Sequence, residues 1–209
     1  HPFLTYLQER TNRDLPGKFA QMKMAPQPVD GGPNRLYDAP PGVRRSSVLI
    51  PFLSSSERDL NLLFTLRSPN IRHGGQISFP GGRIEKNEQP EAAALREAKE
   101  EVGIEPEQVR ILGSVSDLYI NHSNNQVSPF LGLMQEEPTI ILQEEEVSEA
   151  FFIPFDELIR EELKKHETWE LKKNRYRVPY WTIHEVPLWG ATAMILSEVI
   201  ELYQEFRAL

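Results

Sequence analysis

Between Gly81 and Ile104 the sequence dictates a loop followed by one helix, and no other stretch constrains the fold as tightly. Pro90 suits the first helical turn, where its missing N–H costs nothing, and Glu91 complements the positive end of the helix dipole. Gly103 suits the left-handed stop at the other end, leaving about three and a half turns in between. Glu97, Glu100 and Glu101 then stand at i, i+3 and i+4, so three carboxylates share one face. Like charges one turn apart repel by roughly a few tenths of a kcal/mol, and a hard divalent cation reverses that sign. Clustered carboxylate oxygens are the ligands that Mg²⁺ or Mn²⁺ prefer, usually shared with substrate phosphates. Arg96, one turn before Glu100, is placed to hold its orientation. Taken alone, a Glu-rich helix face is most often simply solvated.

The rest of the composition narrows the classes of function. With 31 acidic against 23 basic side chains the formal charge is -8, the wrong sign for grip on nucleic acid through phosphate neutralisation. An anionic substrate has to be captured by local Arg and Lys or by bound cations. The absence of cysteine excludes disulfides, thiolate metal sites and Cys nucleophiles. At 39% hydrophobic and 26% charged over 209 residues, the chain has the makeup of one folded domain with a sizeable core. It lacks a long apolar run or signal-peptide core, and Arg207-Ala208-Leu209 is not a Ser-Lys-Leu address. The expectation is a soluble, cytoplasmic monomer or homodimer, without nucleic-acid or membrane partners.

Patterning supplies the other elements. Phe3 to Arg13 is consistent with a short helix, whereas Pro16 to Pro41 is crowded with Pro and Gly and is expected to be an irregular arm. Strands are expected from Arg45 to Phe52, Leu60 to Thr65, Val127 to Met134 and Ala150 to Ile153. Pro154 to Ile159 looks like a helix with Pro at its first position. Ile195, Val199, Leu202 and Phe206 recur at helical spacing, so the last twenty residues are expected to pack a helix on the core. Residues 1–43 thus read as a helix and arm packed on a domain of residues 44–209.

The loop and helix match a longer pattern: Gly, five residues, Glu, seven residues, then Arg-Glu-apolar-any-Glu-Glu-any-Gly-apolar. Gly82, Glu88, Arg96, Glu97, Glu100, Glu101, Gly103 and Ile104 all fall in register. At this composition seven fixed positions coincide by chance with a probability on the order of one in a hundred thousand, which outweighs the solvated-face alternative. The segment resembles the box of the Nudix hydrolases, with Ala98 standing where the family usually carries a larger aliphatic residue. That resemblance implies an α/β/α sandwich of α+β class with a mixed sheet, and metal-dependent hydrolysis of a nucleoside diphosphate linked to another moiety. It implies Glu97, Glu100 and Glu101 as ligands of Mg²⁺ or Mn²⁺, with the Gly82 carbonyl as a further one, and Arg96 and Glu88 as orienting partners. Catalytic candidates are therefore Glu100, Glu101 and Arg96.

Upstream, Leu62-Leu63-Phe64-Thr65-Leu66-Arg67-Ser68, Arg72, Gly75 and Phe79-Pro80-Gly81-Gly82 resemble the additional signature of the coenzyme A pyrophosphatase subfamily, with one residue fewer between Arg72 and Gly75. Similarity continues at Arg44 to Val48, Gln126 to Pro129, Glu145 to Ser148 and Trp189 to Ala193. It implies cleavage of coenzyme A or a derivative to 3',5'-ADP and 4'-phosphopantetheine. Another nucleoside diphosphate derivative, such as ADP-ribose or a nucleotide sugar, is the alternative substrate, and an inactive nucleotide-sensing module is the alternative class. Arg67, Arg72 and His73 form a local basic cluster suited to phosphates, or else are solvated loop residues; Arg83 joins them as a substrate-binding candidate. Glu146 is a candidate general base or extra ligand, with a solvated loop or a box glutamate in that role as the alternatives. His122, His166 and His184 read as structural or surface residues.

Overall fold

A computed structural model describes residues 1–31, 38–54, 56, 59–71 and 73–209. Among the described residues, five α-helices span Pro2–Arg10 (α1), Lys18–Gln21 (α2), Pro90–Val102 (α3), Phe155–Leu158 (α4) and Gly190–Arg207 (α5). Strands β1 to β5 are Gln27–Pro28, Arg44–Leu53, Asn61–Arg67, Ile77–Ser78 and Gly81–Arg83. Strands β6 to β11 are Val109–Ser114, Leu118–Ile120, Asn125–Met134, Val147–Pro154, Lys164–Leu171 and Asn174–Trp181.

Eight strands form one mixed sheet with the path β4-β3-β2-β8-β6, to which β9 adds on β3, β7 on β8 and β5 on β2. β2 and β8 run parallel over their whole length, while the other pairs are antiparallel. Alternation along the strands sends side chains to two faces. Leu49 and Leu63 pack with Ala94, Ala98 and Val102 of α3, while Ile50, Phe52, Leu62 and Phe64 join α1 and α5 on the other side. Helices on both faces of a mixed sheet give the layered α+β architecture that the sequence implied. Ala98 is fully buried in the α3 layer.

One edge of β2 is shared. Phe52 and Leu53 pair with β3, whereas Ser46 to Val48 pair with β5, the loop that precedes α3. This division sets the end of β3 and the Gly81-Gly82 loop side by side above the helix. At α3 itself Pro90 opens the first turn, and Gly103 closes the helix at φ 77° with its N–H donating to Lys99 O at 2.9 Å.

Three local expectations need correction. The Pro-rich arm is not wholly irregular: its described part contains α2 and pairs β1 with β11. Ala20 O accepts from Ser197 Oγ, and buried Glu198 takes N–H groups from Gly17 and Gln21, so contacts with α5 override weak local propensity. Pro154 ends β9 and caps α4 rather than opening it. A separate three-stranded sheet, β1-β11-β10, occupies a region for which no strand was expected.

Candidate active site

The site is built where α3, the β5 loop and the end of β3 meet. Glycine is required in the loop because no Cβ fits. At Gly81 it would lie 2.3 Å from Ser47 O and 2.6 Å from Val48 Cα; at Gly82 it would lie 2.4 Å from the Glu97 carboxylate. The loop thus presses its backbone onto the acid of the helix, and Gly81 N–H donates to Glu101 Oε2 at 3.1 Å.

The three acids differ in environment. The Glu101 side chain is 2% exposed, and that of Glu100 is 57% exposed. Burial pushes the Glu101 carboxyl up to about 7, against the Gly81 N–H and Arg67, which lower it; the charges of Glu97 and Glu146 raise it further. Glu97 is also raised, chiefly by burial, with Arg96 opposing and Glu100 and Glu146 adding to the rise. The charge of Glu146, immediately before β9, is therefore felt by both inner acids.

Arg96 is the hub of the outer side. Its guanidinium donates to Glu88 through Nε (2.8 Å) and Nη2 (3.1 Å), and to the Arg83 carbonyl at 3.0 Å. Nη1 lies 2.9 Å from an oxygen of Glu97 and 2.9 Å from one of Glu100. The paired guanidinium holds the Glu88 carboxyl below its usual range. Glu88 in turn accepts from Glu85 N, which fastens the loop to the helix. Among the described residues, no three acidic or histidine side chains are drawn together closely enough to hold an ion as they stand. The donor set nevertheless fits a hard cation. The carboxylates of Glu97 and Glu101, that of Glu100 on the same face and a backbone cradle at Gly82 that a Cβ would fill are oxygen donors without competing soft ligands.

Arg67, read from sequence as a phosphate ligand, directs its guanidinium to Glu101 Oε1 at 3.5 Å. Arg83 lines an open cleft of about 400 Å³ with Ile84, Glu85, Lys86, Arg96 and Glu97. Arg72 lies outside the described residues. His73 has φ 60° and its ring lies edge-on to His122 at 6.1 Å, so the two histidines belong to one neighbourhood. His184 stacks on Phe151 at 4.6 Å and pairs with Glu149 at 3.3 Å, while His166 is exposed. What the sequence did not single out is Ser68, whose Oγ donates to Glu144 O at 2.7 Å and whose N–H donates to Glu146 O at 2.9 Å. It stands in the upstream signature, which was the available signal.

Fold and site together define a class: an α+β domain whose acid-bearing helix and glycine loop present hard oxygen donors beside an open cleft. Residues 43–174 match the NUDIX domain family. Over 158 residues the chain is 36% identical to the uncharacterized Nudix hydrolase NudL of Pectobacterium atrosepticum, spanning 75% of this chain and 81% of that one. It is 31% identical over 173 residues to Nudix hydrolase 3 of Caenorhabditis elegans, spanning 75% and 72%. RenU, a Nudix hydrolase from M. smegmatis, aligns with a TM-score of 0.54 at 16% identity over 88% of this chain and 94% of that one. A MutT/nudix family protein from Enterococcus faecalis gives 0.53 at 18% identity over 95% and 72%. These two share the fold. The chain belongs to the Nudix family, hydrolases of nucleoside diphosphate derivatives that generally use divalent metal ions such as Mg²⁺. No helix among the described residues is long and apolar enough to cross a membrane.

Proposed function

We propose that the chain hydrolyses the diphosphate of coenzyme A or a coenzyme A derivative, giving 3',5'-ADP and 4'-phosphopantetheine or its acylated form. The observation that carries this reading is the segment from Leu62 to Gly82. It resembles the coenzyme A pyrophosphatase signature, and its described residues include most of β3, all of β4 and the start of β5 ahead of the box helix. Glu97, Glu100 and Glu101, with the Gly82 carbonyl, would hold Mg²⁺ or Mn²⁺. Such ions neutralise diphosphate oxygens and lower the pKa of the attacking water. Glu146 takes the proton of that water as its oxygen attacks phosphorus and the P–O–P bridge breaks. Arg96 and Glu88 keep the acids oriented. Arg67 offsets the negative charge at Glu101, and Arg83, which lines the cleft, binds substrate anions there, with His73 as a further anion-binding residue.

A panel of coenzyme A, dephospho-coenzyme A, ADP-ribose and ADP-glucose with Mg²⁺ or Mn²⁺, resolved by product, tests the assignment. Coenzyme A should be turned over with the highest kcat/KM, without release of inorganic phosphate, and EDTA should abolish the reaction. Preference for ADP-ribose or a nucleotide sugar would transfer the chain to another branch of the family. Absence of metal-dependent turnover on the whole panel would favour a sensing module.

A further inference from the structure

The start of β9 is irregular in a way that bears on Glu146. Leu66 pairs with Glu149 but Arg67 pairs with Val147, so Ser148 is an extra residue, a bulge whose hydroxyl donates to Leu66 O at 3.1 Å. Bulges turn a strand and re-aim the side chains beside them. Just ahead of it the chain makes a tight turn, with Glu146 N and Val147 N both donating to Gln143 O at 2.8 Å. Gln143 N donates to Glu101 O at 3.0 Å, and Ile141 N to Val102 O at 3.0 Å, so one side of the turn is fastened to the end of the box helix. The other side is fastened by Ser68, 5% exposed at the end of β3, through its bonds to Glu144 O and Glu146 O.

We propose that Ser68 is a positioning residue: by binding the carbonyls of Glu144 and Glu146 together, it sets the turn that presents the Glu146 carboxylate to Glu97 and Glu101. This role rests on the assignment of Glu146 to the catalytic machinery made above. The Ser68 N–H bond survives in both variants, but the Oγ bond is lost in Ser68→Ala and kept in Ser68→Thr. With the substrate of the panel that is turned over fastest and saturating Mg²⁺, Ser68→Ala should lower kcat about tenfold with KM within about twofold. Ser68→Thr should restore at least about half of the wild-type kcat. In a Glu146→Gln background, Ser68→Ala should cost less than about twofold more, because the group it positions is already disabled. Amide exchange at Glu146 and Val147 should speed up in Ser68→Ala while exchange in the box helix is unchanged. Should Ser68→Ala fold poorly, the near-isosteric Ser68→Cys enters the same cycle. Losses that add fully in the two backgrounds, or a loss in KM alone, overturn the positioning role and leave Glu146 standing. Wild-type kcat in Glu146→Gln alone removes Glu146 from the machinery and overturns both statements.

Discussion

Glu101 is held between opposing effects whose sizes differ. Repulsion from Glu97 one turn away amounts to roughly a few tenths of a kcal/mol on an exposed helix, whereas burial of a carboxylate costs several times more. Burial dominates, which is why the carboxyl is pushed up to about 7 in the fold, against 4.5 for an unperturbed glutamate. The folded protein therefore binds this proton more tightly than the unfolded chain. The contribution to stability is complete below about pH 4.5 and is lost as pH rises through about 7, by up to about 3 kcal/mol. In EDTA, denaturation of the Glu101→Gln variant should lack that loss, so the variant gains on the wild type as pH is raised. A wild-type-minus-variant difference independent of pH would contradict the burial account. With metal present the same substitution should cut turnover by several orders of magnitude, since neutral Gln is a poor ligand for a hard cation. Retention of more than about a tenth of the activity would remove Glu101 from the essential set.

At the scale of the element, the loop and helix work as a clamp, and two adjacent glycines separate its structural and chemical sides. A methyl at Gly81 meets Ser47 O and Val48 Cα, backbone atoms of β2 that cannot move alone. Gly81→Ala should therefore destabilise by about 1–3 kcal/mol, read as a lower denaturant midpoint. The atoms nearest to a methyl at Gly82 are those of the Glu97 carboxylate, the far end of a flexible side chain. Gly82→Ala should keep most of the stability and lose activity at least a hundredfold, as Glu97 is pushed off its position. The reverse pattern would mean that the loop acts on folding and not on the carboxylates. Pro90, Gly103 and the three glutamates were legible in sequence because their geometry is local to one helix. The direction of Arg67 was not, because it depends on β3 ending opposite Glu101, a relation set by the shared edge of β2.

Across the whole molecule, the N-terminal segment is integrated through the α1 and α5 side of the sheet, away from the box helix. Phe3 is completely buried, with ring centroids of Phe155, Tyr203 and Phe206 at 5.6, 5.0 and 5.7 Å. Phe3→Ala should cost roughly 3–5 kcal/mol while leaving KM and kcat unchanged where the protein remains folded, because the emptied volume lies across the sheet from the carboxylates. A thermal midpoint within about 2 °C of the wild type would show that this segment docks weakly. Glu198 makes the same link through polar groups: fully buried on α5, it accepts from Gly17 N and Gln21 Nε2 at 2.9 Å and from Ser116 N at 3.4 Å.

By itself the sequence determined what depends on near neighbours along the chain: the loop and helix between Gly81 and Gly103, the convergence of three acids on one helical face, the alternating strands of the main sheet and the stripe of α5. Tertiary structure alone decided what depends on partners far apart in sequence. Ser68 meets the Glu146 turn, Gly17 and Gln21 meet Glu198, and the arm contributes β1 to a sheet completed by β11. Local propensity is silent on such pairs, because the free energy that fixes them appears only when loops of many residues close and their buried polar groups find each other. The grading of the carboxylates from buried Glu101 through half-buried Glu97 to exposed Glu100 has the same origin. Helical spacing puts Glu97, Glu100 and Glu101 on one face, but the packing of the β5 loop and β3 against that face decides which of them keep their water.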